Sequence, residues 1–220
     1  MAEEEFLSPA SFVDSDHPKV MEFAEAHKGP GTTDMERALS LFYAVRDGIR
    51  YDPYMPLEDP ASYRASDAVI SGRGWCVPKS ALLTACARLQ GIPARPGYAD
   101  VVNHLATPRL IELVGTDVFF YHSYCELFLE GEWVKCTPAF NKTLCDKFGL
   151  KPLDFDGRND SLFHEFDQVG NRHMEYTLDR GHRTDVPFDE IIALFRKEYK
   201  AEYLQGVGGD FQAEAESQIT

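Results

Sequence analysis

The strongest constraint on the fold is a helix whose two ends are both set by the sequence. Apolar residues recur along it at helical period, at Val77, Ala81, Leu82, Ala85, Cys86 and Leu89. Pro78 has no N–H group and fits only a first helical turn, whereas Pro93, beyond Gly91, prevents the helix from continuing. The sequence therefore predicts a helix that begins at or just after Cys76 and ends near Gly91.

Cys76 stands at the N-terminal end of this predicted helix, where the helix dipole favours the thiolate form of a cysteine. Gly74 and Trp75 precede it, and the glycine lets the backbone approach closely, with N–H groups that can stabilise an oxyanion. The alternative is an inert thiol, since a buried cysteine usually behaves as a small apolar residue. Cys86 lies on the apolar stripe of the same helix, and we interpret it as part of the core.

A predicted β-hairpin supplies a candidate base for Cys76. Two apolar segments, 117–129 and 132–137, flank a two-residue turn at Glu130-Gly131, so that residue n faces residue 261 − n. His122 then shares one face of the hairpin with Tyr124, Glu126, Phe128, Trp133, Lys135 and Thr137. A lone histidine on a strand is more often structural than catalytic, and the upstream cysteine is what makes His122 a candidate base.

The cysteines as a group indicate free thiols. Their number, five, is odd, and the sequence contains no Cys-x-x-Cys pair and no clustered Cys/His spacing, so we predict no metal site. The second face of the hairpin carries Tyr121, Ser123, Cys125, Leu127, Val134 and Cys136. Cys125 and Cys136 would oppose each other there, and in a reducing compartment we expect two packed thiols.

The remaining elements are predicted from periodicity and from turn residues. Three further helices are predicted, at 17–27, 33–47 and 185–199, and the second begins with Thr33 and Glu36 at capping-box spacing. A short helix is predicted at 66–70 and a strand at 94–102. The segments predicted as irregular are 51–60, 141–181 and a flexible tail at 205–220. No repeat or linker divides the chain, so we predict a single domain over 1–204.

Charge and hydropathy exclude several classes of function. The sequence has 22 Lys and Arg against 36 Asp and Glu, a net charge of −14, and no basic patch for nucleic acid. The longest apolar runs, such as Val118-Phe119-Phe120, fall far short of the roughly 18 residues of a membrane span. The acidic start, Met1 to Glu5, does not fit a secretory signal, and we expect a cytoplasmic protein.

Two blocks of the sequence resemble the transglutaminase-like superfamily. The first is Gly74-Trp75-Cys76 followed by Arg88-Leu89-Gln90-Gly91-Ile92-Pro93-Ala94-Arg95 and Gly97-Tyr98. The second is His122-Ser123-Tyr124-Cys125-Glu126 followed by Gly131-Glu132-Trp133-Val134. The resemblance covers about 33–140, the core of the predicted domain. It implies a papain-like α+β fold, in which the helix that carries the cysteine packs on an antiparallel sheet that carries the histidine.

The resemblance also implies roles for individual residues. Cys76 matches the nucleophile and His122 matches the base, whereas Glu126 matches a position that is structural or supports the site. The third residue of the family is usually Asp in Trp-x-x-x-Asp-Pro, and here Thr137 occupies that place. A threonine hydroxyl can accept the imidazole N–H but supplies no negative charge. Asn141 and the acidic loop 154–160 are alternative third residues.

The function implied by the resemblance is that of a thiol enzyme that needs no cofactor. Its substrate is a peptide or protein amide, and either water or a small amine releases the thioester formed on Cys76. Gly74, Trp75, Tyr124, Glu126 and His104 are candidate substrate-binding or supporting residues. His164 and His173 have no motif support, and we interpret them as surface or structural. The alternative, favoured by Thr137, is a transglutaminase-like scaffold without turnover that binds a partner.

Overall fold

The computed structural model of the chain describes residues 4–104, 106–162 and 174–216, with side chains up to residue 214. The helices in these ranges are α1 (Pro18–His27), α2 (Asp34–Gly48), α3 (Ala65–Ser71), α4 (Cys76–Leu89), α5 (Pro108–Val114), α6 (Lys142–Phe148), α7 (Phe188–Glu198), α8 (Ala201–Leu204) and α9 (Phe211–Glu216). The strands are β1 (Arg50–Tyr51), β2 (Arg73–Gly74), β3 (Ala94–Asn103), β4 (Val118–Leu129), β5 (Glu132–Cys136) and β6 (Met174–His182). None of the helices described is long and apolar enough to cross a membrane.

The architecture is a four-stranded antiparallel sheet, in the order β5-β4-β3-β6, with α4 packed on it. Every residue of α4 from Cys76 to Arg88 is buried. The helix meets β4 through Thr84, whose Oγ1 lies 3.2 Å from Sγ of Cys125. The α+β fold, with its cysteine-bearing helix on an antiparallel sheet, is therefore confirmed.

Local sequence patterns predicted the central elements correctly. Helix α4 begins at Cys76, and α2 begins with a complete capping box between Thr33 and Glu36. The hairpin has the predicted register, from Leu129 opposite Glu132 to Cys125 opposite Cys136. The five cysteines are free, as predicted.

The prediction that 141–181 is irregular is wrong in two places. Helix α6 occupies the start of this segment, and strand β6 pairs with β3 along the edge of the sheet. The alternation of apolar and polar residues that reveals a strand is missing from β6, because most of its residues are exposed or half-buried. The predicted flexible tail also contains a packed helix, α9, whose Phe211 is buried.

Candidate active site

Cys76 and His122 line the same cavity, as the resemblance implies. The cavity is narrow, about 50 Å³, and only 5% of Cys76 and 6% of His122 are exposed. Its wall is apolar and rich in aromatic rings, which come from Tyr51, Trp75, Phe119, Phe120, Phe140, Phe195, Tyr199, Tyr203 and Phe211. Cys76 and His122 therefore face a small apolar space that is largely shielded from water.

The start of α4 lies next to the strand that carries His122. The backbone N–H groups of Ser123, Val77 and Cys76 itself are close enough to the Cys76 sulfur to lower the pKa of its thiol, although burial has the larger effect. Ser123 follows His122 directly in β4, so this contact places His122 beside the N-terminus of α4. The same N–H groups stabilise negative charge at the sulfur.

The resting thiol of Cys76 is neutral. Burial raises its pKa to about 12, although the three N–H groups act in the opposite direction. The sequence predicts that the helix N-terminus favours the thiolate, but in this closed structure burial outweighs that contribution. Reaction of this sulfur as a nucleophile would therefore require removal of its proton.

Gly74 and Trp75 fix the position of Cys76. Gly74 is in β2, and its carbonyl accepts a hydrogen bond of 3.1 Å from the backbone N–H of Asp52. A Cβ atom on Gly74 would lie 3.0 Å from Cγ of Pro78, which explains the glycine. The Trp75 indole donates to the carbonyl of Ser62 at 2.9 Å, and its ring lies on the cavity wall.

A β-bulge lies immediately before His122. Ala99 pairs with His122 and Val101 with Phe119, so Phe120 and Tyr121 together oppose Asp100. Tyr121 has a positive φ of 52°, a strained conformation for a tyrosine. This bulge interrupts the strict alternation that the sequence predicts for β4.

Side chains satisfy the two backbone N–H groups of the bulge. The Tyr121 N–H donates to Oδ1 of Asp100 at 3.1 Å, and the Phe120 N–H donates to the Tyr199 hydroxyl at 2.8 Å. Asp100 is buried and also binds Arg180 through two contacts, at 2.6 and 2.7 Å. The bulge that precedes His122 is therefore held both from β3, by Asp100, and from the residue that follows α7, Tyr199.

Thr137 is the residue that the sequence analysis assigns to the third position. It is buried, and it lines a second small cavity together with His122. Its hydroxyl donates to the carbonyl of Leu162 at 2.5 Å, which leaves the hydroxyl oxygen able to accept a proton donor. The position fits an acceptor for the imidazole N–H of His122.

The alternative third residues are engaged in other contacts. The Asn141 carbonyl oxygen accepts from the backbone N–H of Tyr51 at 3.0 Å, and its amide nitrogen donates to Thr143 at 2.6 Å. In the acidic loop, Asp156 accepts hydrogen bonds from the loop's own backbone, and Asp160 accepts from the backbone N–H of Lys135. These contacts give Asn141 and the loop structural roles.

The other predicted site residues support the sheet or lie away from the cavity. The Glu126 carboxylate binds Nε of Arg95 at 2.6 Å, and the ring of Tyr124 packs against Gly97. His104 is exposed, with Nε2 3.6 Å from Glu175, and it is absent from the cavity wall described. His164 and His173 lie outside the described residues.

Sequence reasoning missed three residues that shape the site, namely Asp100, Tyr199 and Phe211. An aspartate inside an otherwise apolar strand was the available signal for Asp100. Tyr199 was recognised as an apolar-face residue of the last helix, but nothing local showed its hydroxyl bonding to Phe120. Phe211 stands in a polar C-terminal stretch that has no helical periodicity.

Comparison with known proteins identifies a family. The model of the transglutaminase-like superfamily matches residues 22–138, more than half of the chain. A crystal structure from Cytophaga hutchinsonii, provisionally described as a cysteine protease, is similar to the chain with 22% identity and a TM-score of 0.46. That alignment covers 62% of this chain and 42% of the other, so the chain spans less than half of that protein's length. No curated protein matches the chain in sequence.

Proposed function

The chain belongs to the transglutaminase-like superfamily, and on that premise we propose that it is a thiol enzyme acting on amide bonds through a thioester at Cys76. The observation that carries the proposal is the shared cavity wall of Cys76 and His122, with the backbone N–H of Ser123 close enough to the Cys76 sulfur to favour negative charge on it. Few other side chains on that wall carry chemistry, because most of it is aromatic or aliphatic.

The proposed reaction has two halves. His122 accepts the thiol proton as the Cys76 sulfur attacks the amide carbonyl, and the backbone N–H groups at the start of α4 stabilise the oxyanion. The C–N bond then breaks, the amine leaves with the proton held by His122, and the acyl group remains on sulfur. In the second half water attacks the thioester and gives a free acid, or a small amine attacks and gives a new amide. In both cases His122 removes the proton of the attacking group, the C–S bond breaks, and His122 returns the proton to the Cys76 sulfur.

Thr137 is proposed as a positioning residue for His122. Its hydroxyl hydrogen is directed to Leu162, so its oxygen is available to accept the imidazole N–H. A threonine supplies no charge, and the imidazolium formed during catalysis is therefore less stabilised than beside a carboxylate. We expect Thr137→Asp to raise the pKa of His122 and the reactivity of Cys76, and Thr137→Val to lower the reactivity.

The decisive experiment is the pH dependence of iodoacetamide labelling at each cysteine, followed by mass spectrometry. We expect Cys76 to react faster than the four other cysteines at neutral pH, and His122→Ala to slow it by about 100-fold or more. His182→Ala is the control, since His182 is an exposed histidine on the edge strand β6, which β3 separates from the strand of His122, and it lies 3.9 Å from Glu126. Equal Cys76 rates in the parent and in His122→Ala would contradict the proposal.

A non-catalytic binding scaffold is the second candidate. The replacement of the usual carboxylate by Thr137 favours it, and so does the nearly complete burial of Cys76. Under this alternative Cys76 labels no faster than the other thiols in the parent, and Thr137→Asp alone does not increase its reactivity.

A further inference from the structure

The C-terminal segment, residues 206–216, forms part of the wall of the Cys76 cavity. Its Phe211 is 6% exposed and lines the cavity. The ring packs among three other aromatic rings, with centroids 5.9 Å from Tyr51, 5.9 Å from Tyr54 and 5.5 Å from Phe148. The segment therefore places one aromatic side chain in an aromatic pocket that the rest of the chain forms.

Two cationic side chains of the surrounding chain hold the acidic residues of the segment. Arg109 pairs with the Glu214 carboxylate and donates to the Gly208 carbonyl at 2.6 Å, and the Tyr54 hydroxyl donates to Glu214 at 2.5 Å. Arg50 lies 3.6 Å from Asp210. In a chain of net charge −14, the rim of this pocket presents two arginines to the carboxylates of the segment.

The segment begins at a glycine-rich connection. Three of the four residues from Gly206 to Gly209 are glycines, and Gly206 and Gly209 have positive φ values of 81° and 152°. Glycine adopts such conformations without strain and loses more conformational entropy than other residues when it is ordered. The Val207 N–H donates to the Tyr54 carbonyl at 3.2 Å, so the segment also contacts the chain through its backbone.

The closed cavity does not admit a peptide substrate. A space of about 50 Å³ holds little more than a few water molecules, and Cys76 is 5% exposed. Among the cavity walls described, the C-terminal segment is joined to the rest of the chain by a glycine-rich stretch. It is also held by ion pairs between its carboxylates and arginines near the surface. A polypeptide that reaches the Cys76 sulfur along this side has to take the place of the segment.

We infer that the groove beneath the C-terminal segment is a peptide-binding site next to Cys76, occupied in this structure by the chain's own Phe211 and Glu214. Its ligand class is a peptide with an aromatic residue and a carboxylate three positions later. The pocket formed by Tyr51, Tyr54 and Phe148 receives the ring, and Arg109 receives the carboxylate. The role of this groove as a substrate site rests on the proposed function, whereas its binding of the peptide does not.

The test measures binding of a synthetic peptide to the full-length chain. The probe is the fluorescein-labelled peptide of residues 206–216, and anisotropy reports its binding to the parent and to Phe211→Ala/Glu214→Gln. A segment on a short connection competes at an effective concentration of about 1 mM. We therefore expect the double variant to bind the peptide at least about tenfold more tightly than the parent does.

Matched controls assign the binding to the groove. In the double variant, a further Arg109→Ala should weaken binding, whereas Arg158→Ala, which removes an arginine paired with Glu130, should not. A peptide with alanine in place of the phenylalanine should lose at least about tenfold in affinity, since buried aromatic anchors dominate such interfaces. Thermal melts by circular dichroism confirm that each variant is folded.

The outcomes separate this inference from the proposed function. Equal peptide affinity in the parent and the double variant, or equal binding of the alanine peptide, would overturn the inference. If the peptide binds but Cys76 is unreactive, the peptide-binding groove is supported and the proposed enzyme function is rejected. If Cys76 is reactive but the peptide does not bind, the proposed enzyme function is supported and the peptide-binding groove is rejected. If both hold, the peptide should slow iodoacetamide labelling of Cys76 in the double variant.

Discussion

Two regions of the chain build the candidate site in different ways. The motif region, 33–140, carries Cys76 and His122 on elements with dense, dry packing, and α4 is buried along nearly its whole length. The C-terminal region, 142–216, contributes cavity walls through single side chains such as Met174, Phe195 and Phe211. The comparison indicates that the motif region holds Cys76 and His122 and most of the cavity wall, whereas the C-terminal region completes that wall with side chains that are distant from the motifs in the sequence.

The largest predicted effect is on the free energy of unfolding, and it compares a residue of α4 with a residue of the C-terminal segment. Leu82→Ala, in the fully buried middle of α4, should lower the free energy of unfolding by about 2–5 kcal/mol. Phe211→Ala should lower it by less than about 1 kcal/mol, because the C-terminal segment can detach locally without global unfolding. Urea denaturation measures both. A similar loss in the two variants would show that the segment belongs to the same cooperative unit as α4.

Gly97→Ala probes how tightly the motif region is packed. A Cβ atom there would meet Cε2 of Tyr124 at 2.2 Å, and we expect a cost of about 1–3 kcal/mol in unfolding free energy. In a Tyr124→Ala background the same substitution should cost much less, since the clashing ring is gone. Gly48→Ala is the control, because a Cβ there meets nothing within 4 Å. An unchanged cost in the Tyr124→Ala background would reject this explanation.

Asp100→Ala tests the connection between the two regions. It removes the paired contacts with Arg180 of β6 and the acceptor for the Tyr121 N–H. Because Arg180 is partly exposed, we expect a loss of about 1.5 kcal/mol in unfolding free energy. Labelling of Cys76 should also slow if the bulge positions His122. Asp117→Ala, at an exposed position just before β4, should change neither quantity, and an equal effect there would show that Asp100 has no special role.

The smallest predicted effect concerns Lys79, one turn after Cys76. Its ammonium is fully buried and donates to the carbonyls of Arg46 and Ile49, and burial lowers its pKa to about 7. The unfolded chain binds this proton up to the ordinary lysine pKa, so folding is increasingly favoured as pH rises above 7. Between pH 7 and 8 the free energy of unfolding should rise by up to about 1.4 kcal/mol.

The control for this prediction is Lys79→Met, which removes the titrating group and keeps most of the volume. Its unfolding free energy should lack the rise seen in the parent over the same pH interval. Parallel pH profiles of the parent and Lys79→Met would contradict the lowered pKa.

Much of the motif region was predictable because its signals are local. Pro78 and Pro93 limit α4, the capping box begins α2, and the two-residue turn sets the register of β4 with β5. β6 was not predictable in this way, since an exposed edge strand shows no apolar alternation. The choice among third residues was equally inaccessible, because contacts such as those of Asn141 with Tyr51 join residues that are distant in the sequence.

The sequence by itself determined the fold class, the helix that begins at Cys76 and the hairpin that carries His122. These follow from helical period, strand alternation and residues with restricted backbone conformations, all of which act between near neighbours. Only the tertiary structure decided that burial raises the pKa of Cys76, that a bulge precedes His122 and that Phe211 lines the cavity. Burial and cavity shape are sums over residues far apart in the chain, and no local pattern encodes them.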